Sequence, residues 1–310
     1  MKRKVILMGG KTHVISLPLK WIKKYQVKKG AELNLTEKKN SILVSTESKP
    51  QLKEIKLNLS NADASTVIRN IVCCYQKGYN LLELSFSKKT TSHKTSKPQK
   101  TISLIEDTCD QLIGFEITEQ KETYCHIRDL TENSINEFNR ILRRTFLMLN
   151  TLGAESINHL QGKKTEDIHK KHMNIRKFIN YCRRYLNIHG VEDKTHLYHE
   201  LLLSLEDISR TYRLITKKHQ PTKNKEIIEL FKKTTDLQER FYKLFYKYKV
   251  EEVSEIIKQR LEIFQQINKI ISHEREEGAL LHRIPNILNR ILTLINTTIS
   301  INFEDGKPAP

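Results

Sequence analysis

The sequence predicts a mixed but mainly α-helical fold, with a small N-terminal β domain, a small α/β segment and a long helical region. Three observations support this class. Only ten glycines and seven prolines occur in 310 residues, so turns are few. The first 46 residues consist of short apolar runs separated by glycine-containing turns, which is typical of short strands. From about residue 131 onward, apolar residues recur at steps of three and four, the helical period.

Residues 1–47 are predicted to form the first domain. Its elements are strands over 5–8, 12–17, 31–36 and 41–46 and one short helix over 19–25. Gly9-Gly10 separates the first two strands, and Lys39-Asn40 provides a turn between the last two. Pro18 sits at a favourable first helical position.

Residues 52–130 alternate strand and helix and are predicted to form a small α/β domain. A strand over 55–59, a helix over 64–76 that is closed by Gly78, and a strand over 81–86 make one βαβ-like unit. A helix over 101–113 and a hairpin of 115–118 with 123–127 follow. Ser87–Thr101 holds five lysines and no acid, so we expect a mobile surface loop there.

Residues 131–303 are predicted to be helical throughout, and residues 304–310 to be a disordered tail. Breaks near Gly162, Gly190, Pro221, Tyr248 and Gly278 divide the region into six helices of roughly 20–28 residues each. Six such helices suggest two three-helix bundles. One stripe at steps of three and four comprises Leu197, Leu201, Leu205, Ile208, Tyr212 and Ile215. Thr165, followed by two acids, reads as a helix N-cap.

The distribution of charge points to a polyanionic partner. Lys and Arg total 54 against 36 Asp and Glu, a net charge of +18. Residues 1–50 hold twelve basic and three acidic residues, so half of the surplus lies in the first sixth of the chain. A surface this cationic attracts nucleic acid or an anionic membrane. A general lysine-rich bias would explain the diffuse half of the surplus better than this concentrated half.

Several classes of protein are disfavoured by what the sequence lacks. The apolar run near Ile291–Phe303 is too short and too polar to span a bilayer, and Val5–Met8 is too short for the centre of a signal peptide. The five cysteines form no C-x-x-C pair, which favours buried free thiols in a reducing cytosol over disulfides or zinc. Phosphate-loop, nucleophile-elbow, dinucleotide and zincin motifs are absent, so we expect no enzyme.

The sharpest motifs lie in the first 46 residues. They are Arg3-Lys4-Val5, Gly9-Gly10-Lys11, Val14-Ile15-Ser16-Leu17-Pro18, Trp21-Ile22 and Val27-Lys28-Lys29-Gly30. This order closely resembles the AbrB/MazE/SpoVT family of swapped-hairpin DNA-binding domains. The resemblance implies that two chains interleave their hairpins into one obligate dimer. It also implies contacts to double-stranded DNA from Arg3, Lys4, Lys11, Lys23 and Lys24.

The physical chemistry of these side chains agrees with that role. A two-fold dimer doubles the basic face and can match the near symmetry of duplex DNA. Lysine is a point charge that suits phosphates, whereas Arg3 can make a planar bidentate contact to a base. We therefore expect much backbone binding and modest sequence reading. The alternative is a dimerisation module with a solvated lysine face.

Beyond residue 50 the layout resembles archaeal PhoU-type phosphate-uptake regulators, which join such an N-terminal domain to a helical region. The resemblance rests on helix count, on Gly114-Phe115-Glu116-Ile117 and on Leu205-Glu206-Asp207-Ile208. PhoU bundles generally bind metal through acidic pairs four residues apart on neighbouring helices. Here the residue four positions after Glu206 is Arg210 and not an acid. In the last helix the corresponding two places hold Arg283 and either Asn286 or Ile287. In the second helix of each predicted three-helix bundle, Met173/Lys177 and Arg260/Phe264 stand where the acidic pairs would be. Because a hard cation needs clustered carboxylates, we expect no metal site.

One other string could ligate a metal. Glu166, His169 and His172 are spaced to share one helical face, and His196 and His199 repeat the spacing on the next helix. Twelve histidines in a polar chain produce such pairs by chance, so we expect no metal and no cofactor here.

Together these observations predict a cytoplasmic, homodimeric, DNA-binding transcriptional regulator, with phosphate uptake as its process and with helical bundles that bind a signal or a protein partner. One alternative is a PhoU-like regulator of a phosphate transporter that does not bind DNA. A second is an antitoxin, although those chains are short and end in an acidic tail. A third is a nucleoid-like architectural protein, which differs from a regulator in its sequence specificity.

Overall fold

The computed structural model describes residues 2–38, 41–46, 52–91, 97–131, 135–191, 193–271 and 278–303. The chain separates into two compact units, Met1–Leu52 and Lys53–Pro310. The strands of the described residues all lie before residue 130, and the long helices follow it, which confirms the mixed, mainly α class. The predicted tail over 304–310 lies outside the described residues.

The N-terminal unit consists of two hairpins and one short helix. Its elements are β1 (Val5–Met8), β2 (Thr12–Ile15), α1 (Leu19–Lys24), β3 (Leu33–Lys38) and β4 (Ser41–Thr46). β1 pairs with β2 and β3 pairs with β4, both antiparallel, as two separate two-stranded sheets. Pro18 is the N-cap of α1 rather than its first helical residue. Its extended ψ of 127° places it just outside the helix.

The second unit begins with a four-stranded mixed sheet. Its strands are β5 (Glu54–Leu59), β6 (Leu81–Phe86), β9 (Phe115–Lys121) and β10 (Tyr124–Asp129), in the order β5-β6-β10-β9. β5 and β6 are parallel and are joined by α2 (Ala64–Gln76), so the predicted βαβ unit is confirmed. The Asp63 carboxylate caps α2 by accepting from the amide of Thr66 at 2.7 Å. Gly78 follows α2 with φ +85°, a conformation that favours glycine.

Both ends of the lysine-rich segment Ser87–Thr101 form short strands, so the prediction of a mobile loop over the whole segment is wrong. β7 (Lys89–Thr91) pairs with β8 (Pro98–Lys100), and residues 92–96 lie outside the described residues. Thr90 is buried, and its hydroxyl donates to the carbonyl of Ala62 at 2.8 Å. The ladder and this bond hold the ends of the segment against the α/β domain. The helix that follows, α3 (Thr101–Cys109), is four residues shorter than predicted.

Six long helices fill the rest of the unit, as predicted. They are α4 (Ile135–Leu160), α5 (Ile168–Ile188), α6 (Thr195–Lys218), α7 (Lys225–Tyr246), α8 (Val250–Ile271) and α10 (Arg283–Asn302), and a four-residue helix, α9 (Gly278–Leu281), precedes the last. Asp167, not Thr165, caps α5, because its carboxylate accepts from the amide of Lys170 at 2.9 Å.

The six long helices pack as two triplets around one continuous apolar core. α4, α5 and α6 pack against one another, as do α7, α8 and α10. α6 packs closely along α10 and α4 along α7, so the two triplets share a core rather than enclosing separate ones. Of the six residues in the predicted stripe of α6, Leu197 is half-buried. The other five are buried, namely Leu201, Leu205, Ile208, Tyr212 and Ile215.

The α/β domain has its own apolar core but is fastened to the helices through Arg184. This arginine of α5 is fully buried and pairs with Asp129 of β10 at 2.5 Å. A second nitrogen donates to the carbonyl of Tyr75 at 2.6 Å, and the guanidinium lies over the rings of Tyr75 and Phe115. The segments 52–130 and 131–303 therefore form one compact unit with two cores.

Candidate nucleic-acid interface

The first hairpin separates the basic residues that were predicted to bind DNA. Arg3 and Lys4 lie just before β1, at the open end of the hairpin, whereas Lys11 ends the three-residue turn at the other end. At about 3.4 Å per strand residue, the two ends are roughly 15 Å apart. All three side chains are exposed. One hairpin therefore presents positive charge at both of its ends.

The turn of this hairpin depends on its two glycines. Gly9 and Gly10 have φ of +58° and +77°, in the left-handed region that strains other residues. A Cβ at either position would lie in open space, so the constraint comes from the backbone and not from crowding. The glycines therefore set where Lys11 leaves the turn.

The short helix α1 presents a lysine face. Lys20, Lys23 and Lys24 are all exposed and stand at i, i+3 and i+4, which places them on one side of the helix. Trp21 and Ile22, on the other side, are half-buried, and Trp21 packs against Tyr25 with 5.4 Å between ring centroids. Lys20 was not among the residues predicted to contact DNA, although its helical spacing to Lys23 and Lys24 places it on the same face.

Many apolar side chains of the N-terminal unit are exposed. Of the residues between 2 and 46 whose exposure the structure describes, which leaves out 36 and 38–40, none is buried. Val5, Ile6, Leu7 and Met8 are consecutive, so both faces of β1 are apolar, and each is at least 58% exposed. Strands that are apolar on both faces are normally buried on both faces. A lone two-stranded hairpin is also marginally stable in water.

The candidate ligands Glu166, His169 and His172 do not form a shared cluster in the described structure. Glu166 precedes the α5 cap and pairs with Lys171 at 2.7 Å, and that partner lowers the pKa of the Glu166 carboxyl. His172 is buried, and its Nδ1 lies 2.7 Å from the hydroxyl of Ser209. Burial, followed by nearby positive charges, lowers the pKa of His172 to about 3. In the described part of the chain, no three His, Cys, Asp or Glu residues cluster as metal ligands.

Arginines surround Glu206, the residue that matches the first acid of the PhoU metal-binding pair. Glu206 of α6 lies 3.4 Å from Arg176 Nε and 2.9 Å from Arg183 Nη2, both on α5. The neighbouring Asp207 is held by Arg210 and by Arg290 of α10. These carboxylates are already neutralised by guanidinium groups, which is the environment of an ion-pair network and not that of a cation site.

The cysteines match the expected free thiols with one exception. All five are free, and four of them are buried, but Cys73 on α2 is exposed. Burial raises the pKa values of Cys109 and Cys125 to about 12, which keeps both thiols protonated and unreactive at neutral pH.

The comparisons with known proteins identify no relative. The chain matches no family model, no curated protein and no solved structure. Separately, no helix among the described segments is both long enough and apolar enough to cross a bilayer.

Proposed function

We propose that this chain is a DNA-binding regulator that acts as a homodimer through its N-terminal unit. The observation that carries the proposal is the combination, within 45 residues, of exposed apolar strands with exposed lysines and one arginine at the ends of a hairpin and on one helix face. A partner chain could cover the apolar strands, and the exposed positive charge favours a polyanion.

A second copy of the chain is the partner that fits the apolar strands best. β1 exposes apolar residues on both faces, and β3–β4 exposes a further apolar face with Leu35 and Ile42. Interleaving two identical pairs of hairpins would cover these faces and pair the open strand edges. The swapped-hairpin arrangement of the AbrB/MazE/SpoVT family is the form that we propose for this dimer.

Duplex DNA is the polyanion that fits the basic side chains best. A dimer carries twelve basic groups from Arg3, Lys4, Lys11, Lys20, Lys23 and Lys24 on the same small unit. Lysines contact phosphates without reading sequence, and Arg3 is suited to a guanine edge. The helical region would then be a PhoU-like sensor in the cytoplasm, and phosphate uptake is the process that we propose it regulates.

The salt dependence of DNA binding tests the proposal. If about six phosphates are neutralised, log affinity should fall with log salt at a slope of about −5. Replacing Lys23 and Lys24 with Ala removes four charges per dimer and should flatten that slope by about 2 to 4. Fluorescence anisotropy of a labelled duplex, titrated at several salt concentrations, measures both slopes.

Lys163→Ala/Lys164→Ala is the matched control. These two lysines are also adjacent and exposed, but they lie between α4 and α5. The control should keep the wild-type slope. Equal losses in the two double variants would mean that binding reflects overall charge, and intact binding by the Lys23/Lys24 variant would exclude α1 from the interface.

A further inference from the structure

A second cationic feature lies far along the sequence from the N-terminal unit, in a groove between α6 and α10. Arg210 and Asp207 line it from α6, and Arg283, Arg290, Asn286 and Asn289 line it from α10. Its volume is about 380 Å³, which lies within the range of small-molecule sites. The proposed DNA interface uses none of these residues.

Asp207 holds two of the three arginines in place. Its Oδ1 lies 3.0 Å from Arg210 Nη1, and its Oδ2 lies 2.6 Å from Arg290 Nη2. Both carboxylate oxygens are therefore engaged, and the Asp207 side chain is only 17% exposed, whereas Arg210 and Arg290 are 52% and 41% exposed. The carboxylate anchors two guanidinium groups whose remaining N–H donors stay accessible.

The groove contains more donors than acceptors. Arg283 adds a third guanidinium, and its buried Nε has no hydrogen-bond partner among the described residues. The Asn289 amide oxygen accepts from Arg260 at 2.8 Å, which leaves the amide NH₂ as a donor. Among the described residues that line the groove, three arginines face one aspartate, an excess of two positive charges.

Neighbouring histidines report the same positive field. Burial is the main cause of the lowered pKa of His172, and the charges of Arg213, Arg176, His169 and Arg210 lower it further. Burial also lowers the pKa of His219, with Arg283 and Lys218 as additional causes. Groove arginines therefore disfavour positive charge at two separate histidines.

We propose that this groove binds a small phosphorylated anion with two adjacent phosphoryl groups. Guanidinium forks match the geometry of phosphoryl oxygens, and the uncompensated charge calls for a ligand that is at least a dianion. The volume admits more than a single phosphate. The same chemistry could come from a free small molecule or from a nucleic-acid backbone, and the two sources predict different results.

Isothermal titration calorimetry of the full-length protein with pyrophosphate tests the proposal. The expected result, at about 0.15 M salt and without divalent metals, is one pyrophosphate per chain with a dissociation constant below about 1 mM. Arg210→Gln/Arg290→Gln should weaken binding by at least about tenfold, because each charge-assisted pair contributes substantially.

Arg140→Gln is the matched control, because Arg140 is also an arginine in an i, i+3 pair, with Glu137 on α4. It should leave the pyrophosphate affinity unchanged, and circular dichroism melts establish that all variants fold. The proposal is overturned if the wild-type protein does not bind pyrophosphate, if Arg210→Gln/Arg290→Gln binds it as tightly as the wild-type protein, or if Arg140→Gln weakens binding equally. It is also overturned if the double variant loses affinity for duplex DNA but not for pyrophosphate, since the groove would then contact a backbone.

Discussion

Arg184 links the two cores of the second unit. It is fully buried, it pairs with Asp129, which is 2% exposed, and it crosses between the helical core and the α/β core. A buried pair of charges stabilises little by itself, but the loss of one partner leaves the other charge buried without compensation. Its Nε has no hydrogen-bond partner in the described structure, so Asp129 and the Tyr75 carbonyl are the groups that hold it.

Arg184→Met should destabilise the protein by about 3–5 kcal/mol, because Asp129 would remain buried and unpaired. Adding Asp129→Asn to this variant should recover part of the loss, since the amide carries no charge. Arg140→Met removes an exposed pair and should change stability by less than about 1 kcal/mol. Urea unfolding followed by circular dichroism measures all three, and a small effect of Arg184→Met would show that the two segments are joined by other contacts.

His172 should make stability depend on pH in the acid range. Its pKa is lowered from 6.5 to about 3 in the folded protein, so the unfolded chain binds the proton more tightly. The stabilisation from neutral His172 is complete above pH 6.5 and is lost as the pH falls from 6.5 towards 3. The loss between pH 6.5 and 5 should be on the order of 1.5 kcal/mol.

His172→Asn is the variant that isolates this contribution, since His189, His199 and His219 also have lowered pKa values. The variant should be less stable at neutral pH, because the bond to Ser209 is altered. Its free energy of unfolding should nevertheless fall less between pH 6.5 and 5 than that of the wild-type protein. Parallel pH dependences would contradict a neutral, buried His172.

At the scale of elements, the two N-terminal hairpins differ from the sheet of the second unit in what covers them. Residues Leu82, Leu84 and Phe86 alternate along β6 and are buried beneath helices. Leu33 and Leu35 alternate in the same way along β3, but Leu35 is 68% exposed. The same periodicity thus gives a buried face where the chain supplies a cover and an exposed face where it does not.

Leu35→Asp should dissociate the proposed dimer. Burying an unpaired carboxylate at an interface costs several kcal/mol, so the dimer dissociation constant should rise by at least about a hundredfold. Leu261→Asp is the control, because Leu261 is a leucine of α8 with 51% exposure. Sedimentation velocity distinguishes the outcomes. A monomeric wild-type protein, or equal dissociation by the two variants, would contradict the assembly.

At the scale of the whole molecule, the two units have unequal means of folding. Both apolar cores lie within residues 53–310, and neither contains a residue from the first 52. The side chains described between residues 2 and 46 are all exposed or half-buried. The larger unit therefore contains the buried apolar residues that stabilise a fold. The smaller unit contains exposed apolar residues, which are typical of an interaction surface.

A chain consisting of residues 53–310 should fold by itself. Its melting temperature should lie within about 3 °C of the main transition of the full-length protein, because the cores are intact. The same chain should lose the proposed dimerisation and the DNA affinity together. Calorimetry, sedimentation and anisotropy measure the three properties. DNA affinity that survives the deletion would place the interface on the helical unit.

The order and type of nearly every described element could be predicted from local sequence patterns. Periods of two and of three to four are local properties, so β6, α2 and the six long helices could be predicted within a few residues. Local signals were misleading where two residues compete for one role, as Thr165 and Asp167 do at the cap of α5. Local signals also failed for β7 and β8, which pair with each other across a polar segment of the sequence.

Which distant charges meet depends on how the elements pack in three dimensions. Arg184 and Asp129 are 55 positions apart, and Asp207 and Arg290 belong to different helices. Neither pair has a sequence signature, because an ion pair requires only that folding bring two groups close together. The exposed lysines of α1 could be read from helical spacing, whereas the arginine groove could not. It depends on how α6 and α10 pack, and the shared apolar core of the two helix triplets sets that packing.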